Sequence, residues 1–192
     1  MAATPFQTPD GANRAKSLSD DLHRLEGNSP GNPEPPLSTV SPGDLAPDFS
    51  YESRGQGWQR LHDLLAQGNV LLVFGAEDAQ LTAIEREREA MMARGVVPVA
   101  VLDRRDGATW STLRRLGLRY SLISDSQCVI AEQFNVLSAT THRPVPSWFA
   151  IDRTGRVCGL KRTGLPVIGY AAMAVSALGL PPEGIAVPTN AR

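Results

Sequence analysis

The sequence predicts an α/β fold: a central mixed β-sheet flanked by helices on both faces. Two continuous apolar runs, Val70 to Phe74 and Val96 to Leu102, have the length and composition of strands buried on both faces. Each is followed by a helical pattern, which gives two βα units and a parallel start. Near the C-terminus, Ser147 to Ile151 and Val157 to Lys161 flank the turn Asp152-Arg153-Thr154-Gly155, which adds an antiparallel hairpin.

The remaining elements follow in order. Residues 1–42 are rich in Pro, Gly, Ser and Asn, and the sequence predicts a flexible arm there. Within it, Ala15, Leu18, Leu22 and Leu25 fall at helical spacing, a short amphipathic helix suited to docking on the domain or on a partner. The folded domain is placed at 43–180. Trp58 to Gln67 reads as a helix ended by Gly68. Thr82 to Arg94 reads as another, with Ile84, Ala90 and Met91 inward, Glu85 to Arg88 solvated, and Gly95 closing it. Thr82 with Glu85 has the S/T-x-x-E spacing of a capping box. Ala108 to Leu116 is helical, Tyr120 to Ile123 extended, and Ser126 to Phe134 helical with Ser124 or Asp125 as its cap. Gly169 to Leu178 is a last, alanine-rich helix, and 181–192 a tail.

Composition narrows the function classes. A chain of 192 residues with 42% hydrophobic content suits one compact domain with tails. A net charge of −1 supplies no basic field, which argues against nucleic-acid binding. No apolar run approaches the roughly 18 residues of a membrane span, and no secretory signal is read at the N-terminus. Two cysteines, Cys128 and Cys158, make no disulfide framework, and a cytoplasmic setting is expected. His23, His62 and His142 lack metal spacing, and no cofactor motif is read.

Four segments carry a resemblance. Ser41-Pro42-Gly43-Asp44-Leu45-Ala46-Pro47-Asp48-Phe49 resembles G-x-x-A-P-D-F. Val70 to Phe74 resembles the central strand before an active-site loop. Ser124-Asp125 with Ala131 to Val136 resembles S-D-x-x-x-x-x-A-x-x-Y/F-G-V, and Val145 to Val157 resembles P-T-x-F-x-I-D-x-x-G-x-V. Together they resemble the redoxin group of the thioredoxin-like superfamily, which includes the AhpC/TSA peroxiredoxins. The resemblance implies that fold and, in an ordinary member, thiol-dependent peroxide reduction.

The chemistry of that family does not carry over residue by residue. The pattern P-x-x-x-T-x-x-C falls here on Ala76, Gln80 and Ala83, and the arginine that steadies the thiolate falls on Pro146. A C-x-x-C pair would fall near Ala79 and Thr82. The expected function is therefore a non-catalytic binding or assembly module. Its groove would comprise Ala76, Glu77, Asp78, Gln80, Thr82, Val145 and Pro146, open to a peptide, a small ligand, a protein partner or a second copy. The resemblance further implies a cis Val145–Pro146 bond, although isomerism is not legible in one sequence.

Two alternatives stand beside this. Cys128, at a predicted helix start, is the candidate nucleophile for a thiol-dependent oxidoreductase or peroxidase, against a half-buried structural thiol. Gly43 to Asp48 and Leu61-His62-Asp63-Leu64-Leu65 also resemble the C-terminal thioredoxin-like domains of flavin aromatic hydroxylases, which lack redox cysteines and serve assembly. Cys158 is expected to pack on a strand, on the opposite side of the sheet from Cys128. Glu77 and Asp78 could act as acid and base or hold a cation, against a solvated loop role. His142-Arg143 could meet an anionic ligand, against an exposed loop. Trp58, Trp110 and Trp148 are expected in the core or on groove walls.

Overall fold

The computed structural model describes residues 39–53 and 57–181. The predicted N-terminal helix over Ala15 to Glu26 lies outside them, as do all but the first residue of the C-terminal tail. A hairpin of β1 (Ser50–Ser53) and β2 (Gly57–Arg60) comes first. It leads into α1 (Leu61–Gln67), β3 (Asn69–Phe74), α2 (Asp78–Met92), β4 (Val96–Leu102) and α3 (Asp106–Leu116). Then follow β5 (Ser121–Ser124), α4 (Val129–Gln133), β6 (Ser147–Ile151), β7 (Val157–Lys161) and α5 (Tyr170–Ala177). The main sheet has the order β5-β4-β3-β6-β7. β3 pairs parallel with β4 and antiparallel with β6, so the apolar run Val70 to Phe74 occupies the centre, as its composition demands.

The two-residue period of β3 builds two cores. Val70, Leu72 and Phe74 face one side, where α1, Ile130 and Ala131 of α4, and Phe134 cover them. Leu71 and Val73 face the other, against Leu81, Ile84 and Met91 of α2 and Tyr170 and Ala174 of α5. Phe134 is the hub of the first core. Its ring lies 5.3 Å from Phe74, 5.0 Å from Phe149 and 6.1 Å from Phe49, in tilted or edge-to-face pairs. Arg162 ties the segment before β1 to this core. Its guanidinium lies over Phe149 and donates to the carbonyls of Val40 and Phe134 at 2.6 and 3.4 Å.

Several boundaries differ from the sequence reading. The helix predicted from Trp58 begins at Leu61, because Trp58 and Gln59 pair with Glu52 and Tyr51 across the hairpin. Trp58 is accordingly 76% exposed rather than a core or groove-wall residue. The helix predicted from Thr82 begins four residues earlier, at Asp78. Thr82 is thus no cap: its hydroxyl donates to the Asp78 carbonyl one turn back. Glu85, its supposed partner, accepts instead from the Arg119 backbone N–H at 2.7 Å and from its Nε at 2.8 Å. The helix predicted over Ser126 to Phe134 shrinks to α4, whose N-cap is Cys128 rather than Ser124 or Asp125, although Asp125 still reaches its first turn. Its buried carboxylate accepts the Ala131 N–H at 2.9 Å.

Glu87, read from the sequence as solvated, reaches across to the start of α5. Gly169 has no side chain with which to cap that helix, and the Glu87 carboxylate takes the N–H groups of Gly169 and Ala171 at 2.6 and 2.9 Å. A carboxylate from one helix thereby satisfies the open donors and the dipole of another.

At the end of β3, Gly75 has φ +61°. A Cβ there would lie 2.9 Å from the Pro144 carbonyl oxygen, the Val145 carbonyl carbon and the Pro146 nitrogen. All three are backbone atoms, so no side-chain rotation relieves the clash. Gly75→Ala is therefore expected to destabilise the protein by about 2 kcal/mol or more, read by urea unfolding, from the left-handed backbone and the displaced segment together. Glu87→Ala is expected to cost about 1–2 kcal/mol, the loss of a helix cap, with Glu87→Gln retaining part of it because an amide oxygen still accepts. A Glu87→Ala protein as stable as wild type would remove the cap from the account of α5.

Candidate functional site

The close approach at Gly75 brings the predicted groove residues together. The loop after β3 lies against the 144–146 segment, with the first turns of α2 beyond it. Within this cluster the residues are occupied structurally. Ala76 and Ala83 are buried methyl groups facing the α2 side of the sheet. Gln80 reaches back with its Oε1 to the Glu77 N–H at 2.9 Å, the returning half of a capping box. Asp78 pairs with Arg115 at 2.7 Å. The would-be catalytic helix start is thus a capped helix N-terminus carrying two carboxylates, with Leu81 N–H already bonded to the Glu77 carbonyl.

The other wall is equally committed. Val145 donates its N–H to the Val136 carbonyl at 2.8 Å and accepts the Ser147 hydroxyl at 2.9 Å. The Pro146 carbonyl takes the N–H groups of Thr163 and Gly164 at 3.2 and 2.8 Å. The described residues contain no cis peptide bond, so Val145–Pro146 is trans, the form intrinsically preferred before proline. An extended peptide would find little free backbone here to pair with. Pro146 itself is exposed. Three cavities of about 490 to 620 Å³ among the described residues lie elsewhere, between α2 and α5, beside Trp110, and beside Trp58.

Neither cysteine joins the cluster. Cys128 follows β5, two strands from β3 on one side, and Cys158 lies on β7, two strands away on the other. The expected separation across the sheet is what the strand order delivers. Cys128 stands at the start of α4, half-buried. It occupies a left-handed position, φ 57°, ahead of the five-residue α4. Burial pushes its thiol up first, and the carboxylates of Asp125 and Asp103 push it further, against partial relief from Arg143. Cys158 corrects the packing expectation: it is exposed on an edge strand, its thiol bonded to the Arg156 carbonyl at 3.7 Å. Burial and Asp152 push that thiol up as well.

The loop carboxylates hold no cation cluster: no group of three or more His, Cys, Asp or Glu side chains suited to a metal occurs among the described residues. Arg143 is a partner of Asp103, at 2.7 to 2.8 Å, rather than a free anion contact. No described helix is long and apolar enough to cross a membrane. Sequence reasoning missed the capping Glu87 and the Arg162–Phe149 contact, which join residues 82 and 13 positions apart. Only the bare Gly169 before an alanine-rich helix signalled that α5 needed a cap from elsewhere.

Comparisons with known proteins agree with this geometry. Comparison with curated proteins finds no match. Among solved structures, the peroxidoxin BcpB of Mycobacterium tuberculosis is similar, with a TM-score of 0.64 and 21% identity over 73% of this chain and 97% of its own. Thioredoxin peroxidase I of Plasmodium yoelii follows with a TM-score of 0.61 and 20% identity, over 79% and 99%. AhpC of Mycobacterium bovis has a TM-score of 0.60 and 12% identity, over 80% and 98%. At such identities these likenesses establish the thioredoxin-like fold. The AhpC/TSA family profile matches residues 42–159, more than half of the chain. This chain, a strand–loop–helix scaffold without a cysteine in its loop, belongs to the AhpC/TSA family.

Proposed function

We propose that this AhpC/TSA-family chain acts by binding, as a docking or assembly module on a redoxin scaffold, and not by thiol chemistry. The observation that carries the reading is the state of the loop and first turns after β3. A peroxidatic thiolate needs a cysteine at a helix N-terminus with unspent N–H groups and no competing anion. Residues 75–92 contain no cysteine. In its place stand a buried Ala83, the Gln80–Glu77 cap and the Asp78–Arg115 pair.

The rival reading, an oxidoreductase using Cys128, draws little support from the electrostatics around that residue. A thiol whose pKa is raised holds less thiolate at neutral pH, and the thiolate is the nucleophile. The sign is the same for Cys128 and Cys158.

Alkylation of each cysteine by iodoacetamide, followed by peptide mass spectrometry, is expected to rise with pH and to reach half of its maximum above the ordinary thiol value of 9.0 at both sites. A midpoint near neutrality at Cys128 would support the oxidoreductase instead. Hydrogen peroxide consumption with dithiothreitol as reductant is expected to be equal for wild type, Cys128→Ser and Cys158→Ser, and no faster than the buffer. Turnover lost in Cys128→Ser alone sinks the binding-module reading.

A further inference from the structure

We propose that the depression between the β1–β2 hairpin and α4 docks a protein segment carrying arginine or lysine beside an aliphatic residue. Two observations coincide there. First, a cavity of about 530 Å³ lies beside Trp58, which is 76% exposed, and Val129, which is 49% exposed. The floor between them is the buried Phe49 and Ile130 of the first core. Trp110 and Trp148, by contrast, are half-buried, so among the described tryptophans Trp58 alone is left to solvent. Exposed tryptophan beside aliphatic surface is the composition of an interface anchor.

Second, the polar rim has one sign. Asp48, Glu52, Asp106 and Asp125 line the depression, and no Lys, Arg or His does among the described residues. Asp48 is engaged by Arg60 at 3.7 Å, and one Asp125 oxygen accepts the Ala131 N–H. Glu52 and Asp106 remain as carboxylates whose charge no described ion pair offsets. Together, the aromatic face and the carboxylates favour the same partner. A guanidinium or ammonium group can stack on an indole while its N–H groups meet carboxylates, and its aliphatic stem covers Val129. A phosphate-bearing ligand would be repelled by the same rim.

The proposal rests on the binding-module reading but on a different set of residues from the loop after β3. Its failure leaves the peroxide and alkylation results untouched. The test is fluorescence anisotropy of the full chain with a short labelled peptide alternating leucine and arginine, against one alternating leucine and glutamate. The arginine peptide is expected to bind, more weakly as salt rises, and the glutamate peptide not to bind. Trp58→Ala and Asp106→Lys are each expected to weaken binding about 10-fold or more, whereas Glu89→Lys, on α2, leaves it within about twofold. Trp58 is exposed, so an unchanged thermal midpoint confirms that Trp58→Ala is folded. Equal binding of the two peptides, or undiminished binding by folded Trp58→Ala, overturns the proposal. So does self-association through this face without peptide binding, which would make the occupant a second copy.

Discussion

The geometry of this protein turns on the place where β3 ends. A strand buried on both faces and paired on both edges delivers the chain to Gly75, where an added Cβ would lie 2.9 Å from three backbone atoms of the 144–146 segment. That approach admits only a residue without a Cβ, in a conformation that L side chains rarely adopt. It fixes the position of the loop against β6 and sets the start of α2. The residues expected to form the groove lie on either side of this contact.

What occupies the place explains the proposed change of role. In a thiol enzyme the helix start supplies unspent N–H groups and a favourable dipole to a developing negative charge. Here part of that resource is taken up by the chain itself. Gln80 turns back to the Glu77 N–H, Asp78 places a carboxylate on the first turn, and Thr82 bonds within the helix. The facing wall is saturated in the same way, through Val145 and Pro146. A helix start that carries two carboxylates and no thiol is poorly suited to thiolate chemistry. An open apolar surface with carboxylates beside it lies instead at Trp58.

The sequence carried the fold well because its main signals were long and periodic. Val70 to Phe74 and Val96 to Leu102 could be little other than central strands, and Gly95, Gly117 and Gly155 mark turns at the left-handed positions where they were expected. Boundaries were less legible. Thr82 and Glu85 have the spacing of a capping box, yet the reciprocal pair is Glu77 with Gln80, because a glutamate N-cap offers no strong sequence signal. Trp58 fits a helical stripe as well as a hairpin, and only the pairing with Glu52 decides. Contacts made by folding, such as Glu87 with α5 or Arg162 with Phe149, have no local signature. The family was legible from four short motifs, while the state of the groove needed the backbone hydrogen bonds.

The most direct test asks whether either sulfur meets peroxide as a nucleophile. The intact protein is treated with stoichiometric hydrogen peroxide in the presence of dimedone, and adducts are located by mass spectrometry. A chain without thiol chemistry gives no sulfenic adduct at Cys128 or Cys158 at neutral pH on the timescale of a peroxidase. Rapid, stoichiometric labelling of Cys128 would contradict it and restore the protein to the oxidoreductases.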